Sequence, residues 1–346
     1  MSFKSRFLCS VAVAGVVAAS AATAQAADTV TFASWGGSYQ EAQAEALLAP
    51  AAKALGIEFK EASHKGLAEL RSQVLSGAVQ WDIVDLGATD CAQGSVEGLF
   101  EPLDYSVIDA SAVAPEMTQE HWVALVYYST VLAYNSEKYK DNPPQSWADF
   151  WDVETFPGSR ALRGSPIGTM EIALLADGVE PENLKPYDVD RAFASLEKIK
   201  PHVDVWWASG AQSAQLIRDG EVDMLGIWSN RLTSAINDGA KAGFTFHQGL
   251  ANADCLVVPK GAPNKELAMK AINEFLKPEN QAEITKLIDI GPVNPNAVAL
   301  GGFSEEKLSM MPSTEENMKT QAFQDFAWWG ENGAEIKEQW DNFITR

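Results

Sequence analysis

Tryptophan and hydroxyl side chains follow four of the strands that the sequence predicts. Each group begins where an apolar run ends, and three of the four contain tryptophan: Trp35-Gly36-Gly37-Ser38, Gly87-Ala88-Thr89-Asp90, Trp206-Trp207-Ala208-Ser209 and Trp228-Ser229-Asn230-Arg231. Ligands of open α/β sheets bind beyond the carboxyl ends of the strands. Aromatic rings at such places form walls that suit a ligand with an apolar middle or a cationic end. The pattern therefore predicts a binding cleft for a small molecule.

The motifs of common hydrolases and metalloenzymes are missing from the sequence. It contains no G-x-S-x-G elbow, no H-E-x-x-H zinc helix and no cysteine with an evident histidine partner. The four histidines are too scattered to form a cluster with metal-ligand spacing: His64, His121, His202 and His247. We therefore expect a protein that is not an enzyme and that uses no metal and no cofactor.

The charge balance narrows the class of partner. Among 346 residues, 26 are Lys or Arg and 47 are Asp or Glu, which gives a formal net charge of −21. Nucleic acids and anionic lipids repel such a surface, so neither is expected as the main partner. Cationic and zwitterionic small molecules are compatible with this charge.

The first residues predict an export signal. Lys4 and Arg6 precede an apolar run from Phe7 to about Val17, and Ala24-Gln25-Ala26 offers a cleavage site. We expect residues 1–26 to be removed and the mature protein to be periplasmic. No later stretch reaches the roughly 18 apolar residues of a membrane span.

The elements that must position the tryptophan groups alternate between strand and helix. The first half predicts strands near Val30–Phe32, Ile57–Phe59 and Trp81–Leu86, with helices between them. A second set follows, with strands at Val203–Trp206 and Met224–Trp228 and a helix from Asn230 to Ala242. This order predicts an α/β fold of two doubly wound lobes joined by a hinge, followed by a helical tail from about Phe303.

Two cysteines remain after signal removal, Cys91 and Cys255. The periplasm is oxidising and permits a disulfide between them. The sequence does not establish whether their Cα atoms lie within bridging distance. A disulfide and two buried thiols both remain open.

Between Trp35 and about Asn296 the chain resembles the periplasmic solute-binding proteins of polyamine-type ABC importers, most closely their GABA-binding (γ-aminobutyrate) members. The matching segments keep the family's order and spacing: Trp35, Trp81–Leu86, Ser129–Asn135, Gly220–Asp223, Ile227–Asn230, Ala253-Asp254, Pro259–Pro263 and Gly291–Asn296. The resemblance implies a periplasmic-binding-protein type II fold that encloses its ligand and delivers it to a membrane permease, usually as a monomer. It places lobe 1 at residues 27–130 plus 257–302 and lobe 2 at 131–256 plus 303–346.

The resemblance also assigns ligand-contacting positions. Asp254 falls where the family binds an ammonium group, and Trp35 and Trp228 fall on its wall positions. The chain departs from polyamine binders elsewhere. The family's second acidic region falls near Ser165 and Gly168, a wall tryptophan is replaced by Asn252, and a tyrosine by Pro292.

Arg231 decides between two ligand classes. An arginine near Asp254 would repel a dication, by roughly 4 kcal/mol for like charges about 4 Å apart at an effective dielectric near 20. The same pair suits a zwitterion, since guanidinium binds carboxylate with two parallel bonds and aspartate binds ammonium. We therefore predict an ω-amino acid ligand, with GABA as the best single candidate. The alternative is a putrescine or spermidine receptor.

Further contacts are predicted from position alone. Trp206 and Trp207 are adjacent, so in a strand they point to opposite faces, and we assign Trp206 to the site. Hydroxyl groups after strands or at the lobe crossing are expected to contact the ligand carboxylate or a bridging water: Ser38, Thr89, Ser129 and Thr130. Asp90 is expected to cap the helix that follows it.

Overall fold

The computed structural model of the protein describes residues 28–345. The predicted signal segment, residues 1–26, lies outside the described residues. Within residues 28–345, no helix is both long enough and apolar enough to cross a membrane.

Within the described residues, ten strands form one mixed sheet. They are β1 Thr29–Ser34, β2 Glu58–Ser63, β3 Ile83–Gly87, β4 Val123–Asn135, β5 Arg160–Arg163, β6 Val205–Trp207, β7 Met224–Trp228, β8 Ala242–Val257, β9 Gly291–Pro292 and β10 Ala322–Phe323. The main order is β2-β1-β3-β8-β4-β7-β5-β6, with β9 beside β4 and β10 beside β8.

Parallel strands occupy both ends of the sheet, and two long antiparallel strands connect them. β1 pairs in parallel with β2 and β3, and β5 pairs in parallel with β6 and β7. Between these groups, β4 and β8 run antiparallel to each other over most of their 13 and 16 residues. Each end is one lobe, and β4 and β8 pass through both. This confirms the predicted fold of two doubly wound lobes with crossing strands.

Helices cover the faces of the sheet. They are α1 Gly37–Gln43, α2 Ala49–Leu55, α3 Leu67–Ser76, α4 Ala88–Val96, α5 Trp147–Trp151, α6 Pro166–Ala176, α7 Val189–Ile199, α8 Gly210–Arg218, α9 Ser229–Asn237, α10 Lys265–Phe275, α11 Pro278–Leu287, α12 Asn296–Gly301, α13 Glu305–Ser309, α14 Glu315–Met318 and α15 Phe326–Thr345. A π-helical segment, Ala44–Leu48, joins α1 to α2.

The helix predicted from Asn230 to Ala242 is shorter than expected. α9 ends at Asn237, and Gly239 follows with a φ of 99°. That left-handed conformation suits glycine and turns the chain out of the helix. Ala242 already belongs to β8.

Each lobe has its own hydrophobic core. In the first, Phe32 and Ile83 of neighbouring strands are buried against Phe275 of α10. In the second, Leu162 of β5 and Trp147 of α5 are fully buried. The chemistry of the site lies between these cores, where the strands end.

The helix α15 contacts both lobes. A Cβ at Gly330 would lie 3.2 Å from Ala92, so the glycine lets α15 approach α4 of the first lobe closely. Further along, Trp340 packs edge-on against Trp206 of β6, with ring centroids 5.6 Å apart.

A disulfide joins Cys91 of α4 to Cys255 of β8, with 6.7 Å between their Cα atoms. Both side chains are fully buried. Of the two arrangements that the sequence left open, the disulfide is the one in the structure.

Candidate ligand-binding site

A cavity of about 510 Å³, including its mouth, lies between the lobes at the carboxyl ends of β1, β3, β5 and β7. It is lined by aromatic, charged and small side chains: Trp35, Tyr39, Gly87, Thr89, Asp90, Tyr128, Arg163, Ile167, Trp228, Asn230, Arg231 and Asp254. Both lobes and both crossing strands contribute to it. This is where ligands of open α/β sheets bind.

Arg231 reaches the cavity from the first turn of α9. β7 ends at Trp228 and α9 begins at Ser229, so the helix starts at the cavity wall. The guanidinium donates hydrogen bonds across the cleft, to the carbonyl oxygen of Gly36 at 3.3 Å and to Ser38 Oγ at 3.5 Å. Arg231 is 8% exposed. It therefore connects the two lobes beside the cavity.

Asp254 lies on β8, directly opposite Gly87 at the carboxyl end of β3. Burial raises the pKa of its carboxyl well above the usual range, and the nearby Asp85 carboxylate raises it further. Tyr39 and Arg231 act in the opposite direction. A cationic group of a ligand would favour the ionised form in the same way.

A second pair of opposite charges lines the same cavity. Arg163, the last residue of β5, lies over the Trp228 ring, 5.2 Å from its centroid. Asp90, in the first turn of α4, is on the other lobe. Burial raises the pKa of Asp90, while Arg163 and the backbone N–H of Leu67 lower it. The cavity thus carries two guanidinium groups and two carboxyl groups.

Trp35 forms part of one wall and is held by His64. The rings of Trp35 and His64 pack edge-on with centroids 4.7 Å apart. His64 Nδ1 accepts from the backbone N–H of Gly66 at 3.0 Å, and Nε2 lies 2.8 Å from the carbonyl oxygen of Asp85. This network assigns the proton to Nε2. Within residues 28–345, the buried Trp35 Nε1 has no hydrogen-bond partner.

Trp228 forms the opposite wall. It packs edge-on against Tyr128 of β4 and against Trp207, with centroids 6.1 and 5.2 Å away. Gly210 lies so close that an added Cβ would be 2.8 Å from Trp228 and 2.9 Å from Arg231 Nε. These contacts fix the aromatic ring beside the guanidinium.

The structure brings together five of the nine residues predicted for the site. They are Arg231, Asp254, Trp35, Trp228 and Thr89. Ser38 lies at the edge, where it accepts the hydrogen bond from Arg231.

Three predicted residues do not line the cavity. The Trp206 ring faces Trp340 and Phe343 of α15 instead. Ser129 is fully buried in β4, where its N–H donates to Ser229 Oγ at 3.3 Å. Thr130 is also buried, paired in register with Trp228.

Sequence reasoning missed Tyr39, Tyr128 and Arg163. Tyr39 lies within α1, whereas we predicted contacts just after strands. Tyr128 lies in β4 at the lobe crossing, where we chose the neighbouring Ser129 and Thr130 instead. Arg163 ends β5, a four-residue strand that we did not predict. Asp90, which we expected to cap α4, makes no cap hydrogen bond there and lines the cavity instead.

The site combines two aromatic walls with charges of both signs. Opposite charges at different positions of one cavity suit a ligand that carries both an ammonium and a carboxylate group. No group of three or more His, Cys, Asp or Glu side chains in the described part of the chain could hold a metal ion.

Comparison with known proteins identifies the family. A family model described as bacterial extracellular solute-binding protein matches residues 46–313. The chain belongs to this family. The gamma-aminobutyric acid-binding protein of Pseudomonas aeruginosa is 34% identical over 96% of this chain and 95% of its own length. The match confirms the expectation that the protein binds a solute and is not an enzyme.

Solved structures agree with this assignment. An ABC transporter substrate-binding protein from Bradyrhizobium japonicum is 45% identical, with a TM-score of 0.88 over 92% of this chain and 99% of its own. The MotA binding protein of A. tumefaciens, solved with glucopine, is 40% identical, with a TM-score of 0.88 over 91% and 99%. A structure described as the Atu4243 GABA receptor is 34% identical, with a TM-score of 0.83 over 91% and 97%.

The coarse function follows from these matches. The protein is a substrate-binding protein of an ABC transporter, and it takes a small ligand to that transporter.

Proposed function

We propose that the protein is a receptor for a short zwitterionic ω-amino acid, with GABA as the ligand that fits best. The observation that carries this proposal is that Arg231 and Asp254, of opposite charge, line one small cavity. The extended GABA molecule separates its nitrogen from its carboxyl carbon by about 5 Å, from standard bond lengths. In our proposal Arg231 binds the carboxylate and Asp254 the ammonium group.

The remaining wall residues take the middle of the ligand. Trp35 and Trp228 contact its methylene groups, and Trp35 Nε1 donates to a carboxylate oxygen. Thr89 supplies a second hydrogen-bond donor, its hydroxyl group. Because these groups come from different elements, each ligand end is held by a different part of the fold.

A polyamine is the weaker candidate. A dication needs a carboxylate at each end. The cavity holds two, Asp90 and Asp254, but each lies near an arginine of the same lining, Arg163 or Arg231. Each arginine would repel an ammonium group placed beside it. Putrescine and spermidine are therefore expected to bind weakly or not at all.

A ligand like glucopine is a second candidate, because two observations favour it. The glucopine-bound relative is 40% identical to this chain. In addition, Arg163 offers a second guanidinium beside Trp228, which GABA alone does not require. Binding of such a ligand would require the mouth of the cavity to widen.

The mechanism we propose is capture by lobe closure in the periplasm, followed by delivery to a permease in the inner membrane. In this proposal the protein acts as a monomer. Its lobe 1 consists of residues 27–130 plus 257–302, and its lobe 2 consists of residues 131–256 plus 303–346. A ligand that touches both lobes binds the closed form more tightly than the open form, so it shifts the equilibrium toward closure.

Titration calorimetry of residues 27–346 tests the proposal. The protein is first unfolded and refolded to remove carried-over ligand, then titrated with GABA, putrescine and glucopine. We expect saturable binding of GABA at one site and no heat from putrescine. Binding of putrescine without GABA would refute the zwitterion assignment, and binding of glucopine alone would favour the second candidate.

A further inference from the structure

Asp85 is a buried carboxyl group directly behind the site that the proposed binding mode does not use. Asp85 on β3 pairs with Leu256, and Gly87 pairs with Asp254. Asp85 and Asp254 are therefore diagonal neighbours on one face of the sheet, an arrangement whose Cβ atoms are usually about 7 Å apart. Asp85 is fully buried and Asp254 is 9% exposed.

The hydrogen bonds of Asp85 are unequal between its two oxygens. Oδ2 accepts from Ser34 Oγ at 3.3 Å and from Gln43 Nε2 at 2.5 Å. Oδ1 is buried and, among the described residues, has no partner. A buried carboxylate with an unpaired oxygen is costly, whereas a carboxylic acid there carries no charge.

Tyr39 lies between the two carboxyl groups. Its hydroxyl is close enough to both for each to raise its pKa, but it forms a well-aligned hydrogen bond with no described residue. Tyr39 is 3% exposed. When two carboxyl groups lie beside one buried hydroxyl, ionisation of the first raises the pKa of the second unless a cation compensates the charge.

Other charged and titratable groups lie around this pair on neighbouring elements. They are His64 after β2, Asp90 of α4, Tyr128 of β4, Arg163 of β5 and Arg231 of α9. His64 touches Asp85 only through the backbone carbonyl, and burial lowers its pKa. Arg231 acts on Asp254 and donates to Gly36 and Ser38. The described part of the chain shows no salt bridge to either Asp85 or Asp254.

We propose that Asp85 and Asp254 hold one proton between them, which leaves for bulk solvent when the ammonium group of the ligand binds beside Asp254. The step breaks one carboxyl O–H bond, and the proton passes to the buffer. The ammonium group then compensates the second negative charge. This inference rests on the proposed function, because it assigns the ammonium end of the ligand to Asp254.

This proposal fixes the direction in which GABA affinity changes with pH. Burial raises the pKa of Asp85 to about 7. GABA keeps one positive and one negative charge between about pH 5.5 and 8.5, so its own ionisation is constant there. Below about pH 7 the ligand must displace the proton, and affinity falls by up to about tenfold for each pH unit. Above that pH the carboxyl is already ionised, and affinity levels off.

Calorimetry of GABA binding in buffers of different ionisation enthalpy counts the protons released. We expect a release that approaches one proton per GABA near pH 6 and falls toward zero at pH 8.5. Asp85→Asn is expected to abolish both the release and the pH dependence. Asp82→Asn is the matched control: Asp82 is a buried carboxyl three residues away that accepts from Thr31 and Asn264 outside the cavity. The control is expected to retain the release.

Two results would overturn the proposal. One is GABA binding with no proton release at any pH. The other is a carbon-13 NMR titration of the unliganded protein in which both carboxyl groups, assigned with Asp85→Asn and Asp254→Asn, ionise below pH 5. The NMR titration needs no ligand, and each variant serves only to assign one signal by its loss. It therefore still tests the proton if GABA fails to bind, an outcome that would refute the proposed function alone.

Discussion

Among single residues, Arg231 is the one on which the proposed binding of a zwitterion depends most. It is 8% exposed, donates to Gly36 of the first lobe and lines the cavity. Removing one member of a buried charge pair leaves the other without a partner, which costs about 2–5 kcal/mol in binding.

We therefore expect Arg231→Ala to weaken GABA binding by roughly 30- to several-thousand-fold. Calorimetry measures the change. Arg218→Ala is the matched control, because Arg218 on α8 is 45% exposed at its side chain and pairs with its neighbour Asp219. A loss below about threefold for Arg231→Ala, equal to that of the control, would show that Arg231 does not hold the carboxylate.

Single residues also show how much of the candidate site could be predicted from the sequence. Arg231, Trp35 and Trp228 were identified because each follows a strand of clear apolar pattern, and all three line the cavity. Trp206 was assigned by alternation along β6, but its ring packs on Trp340 of α15, more than a hundred residues later. Local alternation gives the face of a strand, whereas tertiary packing decides what covers that face.

At the scale of elements, the disulfide connects two parts of the candidate site. Cys91 follows Asp90 on α4, and Cys255 follows Asp254 on β8. The cross-link therefore lies directly beneath two of the acidic residues of the cavity. It also closes a loop of 164 residues, which restricts the unfolded chain.

Replacing both cysteines, Cys91→Ala with Cys255→Ala, is expected to lower the free energy of unfolding by about 2–5 kcal/mol. We expect GABA affinity to fall by less than about tenfold, because the ladders of β8 with β3 and β4 still hold Asp254. Urea unfolding and calorimetry measure the two effects. Reductant is expected to destabilise the native protein and to leave the double variant unchanged. If the native protein and the double variant are equally stable without reductant, the disulfide does not stabilise the fold.

Most elements were predictable, and the exceptions have physical reasons. Long amphipathic helices show a clear apolar period, as in α7, and a fully buried strand such as β3 shows a continuous, mostly apolar run. β5 has only four residues, too few for a pattern, and so Arg163 at its end was missed. The end of α9 was placed too late because the apolar pattern continues past Gly239 into β8.

At the scale of the whole molecule, the two lobes meet around charges supplied by both. Arg231 and Arg163 come from the second lobe, and Asp90 from the first. β4 and β8 pass between the lobes, and α15 contacts both. In the proposed mechanism a ligand with two charged ends touches both lobes, so its binding favours closure.

A crystal structure of the protein with GABA tests the proposed binding mode most directly. We expect a closed form with the GABA carboxylate within about 3 Å of Arg231 and the ammonium group within about 3 Å of Asp254. The methylene groups are expected between Trp35 and Trp228. Two results would contradict the proposed binding mode. One is a GABA molecule bound in the opposite direction. The other is a separation of more than roughly 12 Å between Arg231 and Asp254, because hydrogen bonds to a ligand of this length do not span that gap.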